Sequence, residues 1–402
     1  MIFALEGMRN TIVLLNGPMG CRFYHSTTSQ FLSIRPLLYL PGEDGKAPVR
    51  VDYNYLNDWF FRQERVPCTY LDGYDYVYST RDKVSRALDF IRENVAFDII
   101  AIINSPGAAL IGDNLLELAR DKLGGCRVVM LESSGYSTSF EAGYQDASLA
   151  LLRQVGAPLW DAAPRSPRAA AAPRVNLLGL SIWHRYYEGD LQELRRLFAL
   201  CGIEVGAALC ADCSIDELSR MPEADLNVVL SPEMGLEAAE YLRERLGQPY
   251  YLCPALPLGF ACVERCFGEI CAALGASDEA LRLESERARA LAWYKINSIY
   301  LSFGKPKGVK FAVEGSDAQV KSYTQFLTDY LGMEPAPPEE AELVFGDANV
   351  ISELMLKNKT FCGIEISLPG MGYVDLTKKT HLGIEGALFL IEQVLNGLMS
   401  KL

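Results

Sequence analysis

Asp98-Ile99-Ile100-Ala101-Ile102-Ile103-Asn104-Ser105-Pro106-Gly107-Ala108-Ala109-Leu110-Ile111-Gly112-Asp113-Asn114 is the stretch that decides the fold. An apolar run stops at a polar Pro-Gly turn and passes into helical periodicity over 112–123, which ends at Gly124-Gly125. That order is one βα unit of a parallel sheet. Upstream, Ser79 and Asp82 read as a capping signal for a helix over 81–94. Downstream, a strand over 127–131 and a helix over 140–155 follow.

The pattern recurs twice more. Residues 161–174, rich in Ala, Pro and Arg, read as a linker. The second set begins with a strand over 175–182 and a helix that puts Leu191, Leu194, Leu197, Phe198 and Cys201 on one face, capped by Gly202. Strands over 203–209, 226–230 and 250–252 follow. Ser214 and Glu217 form a capping box, and a long helix over 276–302 leads out. The third set has strands over 309–313, 342–345 and 361–366. Its helices carry Val320, Tyr323, Phe326, Leu327, Tyr330 and Leu331, then residues 384–398. The expected architecture is an α/β chain of three Rossmann-like domains, parallel sheets flanked by helices. Their limits are 1–160, 175–302 and 303–402, with the linker at 161–174. Ligands in such sheets lie beyond the carboxyl ends of the strands.

Length and charge fit this reading. The 402 residues suit two to four domains. A net charge of −13 repels phosphate backbones and argues against nucleic acid as a partner. No run reaches the ~18 apolar residues of a membrane helix. The start Met1-Ile2-Phe3-Ala4-Leu5-Glu6 lacks a signal peptide's basic region. The expectation is a cytoplasmic protein whose eleven cysteines are thiols or metal ligands. No phosphate-binding Gly-x-x-x-x-Gly-Lys-[Ser/Thr] loop is present, so the chain itself is expected to bind no nucleotide by that route.

Three strand-end segments carry polar chemistry. Asn16-Gly17-Pro18-Met19-Gly20-Cys21-Arg22-Phe23-Tyr24-His25 follows the apolar run 12–15. Its glycines let backbone approach a bulky ligand, and Cys21 stands where a helix N-terminus would favour thiolate. On residue type alone, a buried cysteine after a tight turn is the favoured reading. Ser105 opens the second segment. Glu132-Ser133-Ser134-Gly135-Tyr136 is the third.

In this order and spacing, the segments resemble the nitrogenase component 1 family. That family includes the nitrogenase α and β subunits, cofactor scaffolds, the catalytic subunits of dark-operative protochlorophyllide reductase and the cyclase of nickel-tetrapyrrole synthesis. Gly17-Pro18-Met19-Gly20-Cys21 is similar to its cluster motif. Ser105-Pro106 through Ile111-Gly112-Asp113 is similar to its Cys-Pro-…-Ile-Gly-Asp-Asp motif, and Glu132 through Tyr136 to its Glu-Ser-x-Gly-Phe segment. Val175-Asn176-Leu177-Leu178-Gly179, Leu226 through Ser231, Leu331-Gly332-Met333-Glu334-Pro335 and Leu382-Gly383-Ile384-Glu385-Gly386 also have counterparts.

The resemblance implies a nitrogenase-like oxidoreductase with a [4Fe–4S] cluster shared with a partner subunit. Cys21 is its implied metal ligand; Gly17, Gly20 and Ser105 lie at the cofactor, with Cys68 as a further candidate ligand. The family's three cluster cysteines are not all here: Ser105 stands at the third position, and the first would fall before Met1. Residues His25, Ser133, Ser134, Ser231 and His381 are the candidates for the substrate cavity; no catalytic residue is assigned. Nitrogenase's active-site cofactor needs Cys where Ser231 stands and His where Leu382 stands, so dinitrogen reduction is not expected. Implied partners are a paralogous component 1 subunit, or a second copy of the chain, and a separate ATP-dependent iron–sulfur reductase. In protochlorophyllide reductase one subunit gives three cysteines and the other a single aspartate at the Cys21 position. The expected function is low-potential reduction of a small molecule or tetrapyrrole; the alternatives are a scaffold for metal-cofactor assembly and a binding protein that has lost its cluster.

Other cysteines have plainer readings. Cys210 and Cys213 have Cys-x-x-Cys spacing without a second pair, which favours a strand-end turn. Cys262 and Cys266 share a helix face with Cys271 nearby, which favours core packing over a second cluster.

Overall fold

The structure, a computed structural model, describes residues 1–18, 66–132, 139–162, 172–357, 359–370 and 375–400. The described strands form three sheets in which every paired strand runs parallel. The chain divides into two compact units, Met1–Pro164 with Asp212–Ser219, and Arg165–Ala211 with Arg220–Leu402.

The first unit holds β1 (Thr11–Asn16), β2 (Ile99–Asn104) and β3 (Arg127–Glu132) in the order β1-β2-β3. Every residue of β1 and β2 is buried, which is why both read as continuous apolar runs instead of alternating ones. Helix Arg81–Asn94 sets Val84, Leu88 and Ile91 against Ile12, Leu14, Ile100 and Ile102; helix Leu115–Leu123 adds Leu115, Ala119 and Leu123.

Two sequence expectations change in this unit. The helix expected from 112 starts at Leu115, because Gly112 takes φ +76° and Asn114 caps the helix by accepting from Glu117 N. A short helix, Pro106–Ala109, precedes it. Ser79 Oγ accepts from Arg81 N at 3.1 Å, at the start of helix Arg81–Asn94, but forms no reciprocal box with Asp82. Instead the Asp113 carboxylate accepts from Ser79 Oγ (2.9 Å), Thr80 N (2.7 Å) and Thr80 Oγ1 (2.9 Å). A distant carboxylate supplies what the local signal promised. The Ser214–Glu217 box forms as expected: Glu217 N donates to Ser214 Oγ at 3.1 Å and Ser214 N to Glu217 Oε2 at 2.8 Å.

The second unit contains two sheets. One orders β5 (Glu204–Ala208), β4 (Arg174–Leu178), β6 (Leu226–Val229) and β7 (Tyr250–Leu252); the other orders β11 (Cys362–Glu365), β10 (Leu343–Gly346), β8 (Lys310–Val313) and β9 (Glu334–Pro335). A single apolar core joins them. It takes Leu191, Leu194, Leu197, Phe198 and Cys201 from helix Tyr187–Leu200 and its end, along with helices Phe260–Leu274 and Gly383–Met399. Gly202, at φ +71°, follows the first of these helices. The expected long helix spans Glu279–Phe303. Among the described residues, no helix is long and apolar enough to cross a membrane.

Helix Tyr187–Leu200 approaches the segment before helix Gly383–Met399 so closely that a Cβ on Gly189 would lie 1.9 Å from the Lys379 carbonyl oxygen. Helix propensity alone predicts that Gly189→Ala gains up to about 1 kcal/mol. The backbone contact predicts the reverse sign, a loss of about 1–3 kcal/mol from overpacking. Urea denaturation of the purified variant decides: an unchanged or raised midpoint contradicts the contact.

Candidate functional site

In the first unit the strands end in a row of polar residues. Asn16 pairs in register with Asn104, and Asn104 with Glu132. Asn16 Nδ2 donates to Asn104 Oδ1 (2.9 Å) and Thr80 Oγ1 (3.1 Å), while Asn16 Oδ1 accepts from Thr69 Oγ1 (2.9 Å). Buried amides need such partners because an unmet one costs ~1–3 kcal/mol. The network fixes where the chain leaves β1.

Three of the residues singled out from sequence meet at this exit. Gly17 N donates to Thr69 Oγ1 at 3.1 Å. Cys68 runs alongside Leu15 as an isolated parallel bridge, and its Sγ donates to Gly17 O at 3.2 Å. Ser105 N donates to Asn16 O at 2.8 Å. Thus Cys68 and Ser105 flank the segment that leads into the Gly-Pro-x-Gly-Cys motif. Ser105 is 4% exposed, yet its Oγ has no hydrogen-bond partner and does not cap helix Pro106–Ala109. Gly20, Cys21, His25, Ser133 and Ser134 lie outside the described residues.

The donor set here suits an iron–sulfur cluster in part. A thiol can ligate iron, and a buried hydroxyl without a partner can ligate or donate to a cluster sulfur. Among the described residues, no three His, Cys, Asp or Glu side chains are grouped as a metal site would group them.

The second unit holds Ser231 and His381. Ser231 lies two residues beyond β6, at the N-cap of helix Pro232–Leu246; it is fully buried and its Oγ has no hydrogen-bond partner. Gly179 lets its backbone come close, since a Cβ there would lie 2.6 Å from Ser231 O. His381 uses both ring nitrogens inside the fold: Nδ1 faces Tyr323 OH and Nε2 faces Gln393 Oε1, each at 2.6 Å. The amide oxygen can only accept, so the proton sits on Nε2 and the tyrosine donates to Nδ1. Burial pushes the His381 pKa down to about 4.

Sequence reasoning missed the groups around His381. Asp190 Oδ1 accepts from Thr380 Oγ1 (2.8 Å), His381 N (2.9 Å) and Leu382 N (3.1 Å). Glu193 Oε1 accepts from Ile384 N (3.0 Å) and Glu385 N (3.1 Å). Two carboxylates one turn apart therefore occupy the N-terminus of helix Gly383–Met399, where the helix dipole favours negative charge. Two acids on an otherwise apolar helix face were the available signal. His184 is a further buried imidazole, with no partner for Nε2 and a pKa lowered to about 4 by burial. Beside it, Arg185 pairs with Glu365 (3.0 Å) and Asp375 (2.8 Å).

A parallel-sheet α/β chain with a Gly-Pro-x-Gly-Cys segment at a strand exit, and no phosphate-binding loop, defines the component 1 class of nitrogenase-like proteins. The family model described as nitrogenase component 1 type oxidoreductase matches residues 1–337, and the chain belongs to that family. It is 31% identical over 240 residues to the B-type subunit of light-independent protochlorophyllide reductase from Halorhodospira halophila, covering 57% of this chain and 44% of that one. The corresponding polypeptide of Bradyrhizobium sp. strain ORS 278 is 28% identical over 287 residues, 68% and 52% of the two chains. The chain thus spans about half the length of the curated relatives it matches. Its fold matches the solved structure of nitrogenase Cp1 at pH 6.5, with a TM-score of 0.74 at 15% identity over 100% of this chain and 91% of the other.

The buried titratable groups predict a pH dependence. His184 and His381 titrate near 4 when folded, against 6.5 for a solvated imidazole. The unfolded chain therefore binds more protons between these values, and stability falls as pH drops through them. Asp190 opposes them. Burial raises its pKa from 3.8 to about 6, so the folded chain holds the extra proton and stability falls as pH rises through that window. At ~1.4 kcal/mol per unit, each group is worth on the order of 3 kcal/mol, and the two histidines outweigh the one acid. Asp190→Asn removes the opposing group. Urea midpoints measured from pH 4 to 6.5 are expected to drop more steeply with acid in this variant, by about 1 kcal/mol per pH unit; a slope equal to wild type refutes the assignment.

Proposed function

We propose that the chain is the catalytic-component subunit of a nitrogenase-like reductase that reduces an unsaturated small molecule, of the tetrapyrrole class, at low potential. The observation that carries this reading is the meeting of Gly17, Cys68 and the unpartnered Ser105 hydroxyl at the strand exit that leads to Cys21, in a chain of this family. The similarity to the B-type chains of protochlorophyllide reductase supports the substrate class. A [4Fe–4S] cluster, shared with a partner subunit, supplies one-electron transfer when bound. Cys21 is the ligand from this chain. Cys68 is the reserve thiol beside it, and Ser105 offers an oxygen donor.

The frame is three α/β domains, 1–160, 175–302 and 303–402, joined by the 161–174 linker. Among the cavity candidates, Ser231 brings a hydroxyl where nitrogenase's cofactor requires a thiolate, so the reading includes no dinitrogen reduction. His25, Ser133 and Ser134 are further candidates for the substrate face, as is His381, whose ring nitrogens are held by Tyr323 and Gln393. A paralogous subunit with three cysteines completes the cluster with Cys21; a homodimer would need Cys68 as well. Electrons come from a separate ATP-dependent iron–sulfur reductase. The setting is the cytoplasm.

Two experiments test the reading. Cys21→Ala in the co-expressed complex is expected to strip most of the iron and the visible absorption from anoxically purified protein, whereas Cys68→Ala in a heteromeric complex retains at least half. Full cluster occupancy and activity in Cys21→Ala would reduce that residue to a structural thiol. Calorimetry of ATP against the isolated chain is expected to give no heat of binding; tight binding contradicts the division of labour.

A further inference from the structure

Helix Phe260–Leu274 carries a thiol pair that the proposed reduction does not use. Cys262 and Cys266 are one turn apart, both buried, with their sulfurs 3.9 Å apart. Two sulfurs that share an ion at about 2.3 Å and stand 3.9 Å apart subtend an angle of about 116°. That lies between tetrahedral and trigonal geometry, so the pair is already spaced for ligation without moving the helix. A disulfide would require the sulfurs to approach to ~2 Å.

We propose that Cys262 and Cys266 form a second metal site, a dithiolate that takes a soft monovalent cation of the copper(I) type together with one small-molecule thiol. Soft sulfur donors select such an ion over harder divalent cations. Access comes from one side. Cys262 lines a cleft of about 180 Å³ that also includes Leu256, Phe260, Arg289, Phe326 and Tyr330. Cys266 is buried and outside the lining of the cleft, near the free thiol of Cys253 and Tyr251. The third ligand therefore arrives through the cleft with the ion.

The exchange balances. Two protein thiols and a neutral cation–thiolate complex give a dianionic tris-thiolate and release two protons. Two basic residues stand near the pair: Arg265 directly precedes Cys266 in the chain, and Arg289 lines the cleft, where it pairs with Glu264 at 2.8 Å. Without an ion, Cys262 and Cys266 are buried free thiols whose sulfurs face each other. Binding of the ion replaces those protons.

The test is an anoxic titration of the purified full-length protein with copper(I) supplied with a small thiol, against a chromogenic chelator. Wild type is expected to withdraw one equivalent more than Cys262→Ala/Cys266→Ala. The pair Cys201→Ala/Cys271→Ala, two other buried thiols of the same core, is expected to match wild type. Equal loss in both double variants, or none in the first, overturns the site. X-ray absorption on loaded wild type gives an answer even if the first variant fails to fold: three sulfurs about the copper agree with the proposal, and nitrogen or oxygen in the shell rejects it.

Discussion

The second unit depends on two carboxylates placed where a helix begins. Asp190 and Glu193, one turn apart on helix Tyr187–Leu200, accept from the backbone at 381, 382, 384 and 385. The first N–H groups of a buried helix have no partners of their own. Here they find charged acceptors, and the terminal helix Gly383–Met399 is fixed against the core that both sheets share. Gly189 sits between these acids and the facing backbone because no larger residue fits. Arg196 then ties Glu193 to Glu284 of the long helix Glu279–Phe303. One set of charged hydrogen bonds thereby orders three helices.

The first unit solves a related problem at its strand ends. Parallel strands stop at one edge together, and their last polar groups must be met or left to a ligand. Asn16, Asn104, Thr69 and Thr80 satisfy one another there. The second unit repeats the device in mid-strand, where Asn176 Nδ2 donates to Asn227 Oδ1 at 2.9 Å. Among the described residues of the first unit, the buried Ser105 hydroxyl is left out of this economy, and it lies where sequence resemblance expects a cluster ligand. The same unit recruits Asp113 to organise the start of helix Arg81–Asn94, so the polar part of the Ile-Gly-Asp segment serves the fold.

Much of the architecture could be read in the sequence, because its signals are local. Runs such as Ile99 through Ile103 are apolar on both faces, and only a covered parallel strand needs that. The spacing of Leu191, Leu194, Leu197 and Phe198 fixes a helix face, and the Ser214–Glu217 box lies within one turn. The Gly-Pro-x-Gly-Cys segment and its companions carried the family. The sequence could not say that the local Ser79 and Asp82 signal would lose to Asp113, which is 33 residues from Thr80. Nor could it say that Cys68 would lie beside Gly17, since an isolated bridge leaves no periodicity.

By itself, then, the sequence determined the α/β class, its parallel strands and the family, since each rests on periods and turns within a few residues. Tertiary structure alone decided which polar group meets which. Asp190 finds its acceptor role through backbone 191 residues away, and His381 loses its ring nitrogens to Tyr323 and Gln393. The physical reason is that a buried polar atom is satisfied by direction and distance in space, and neither is encoded by position along the chain.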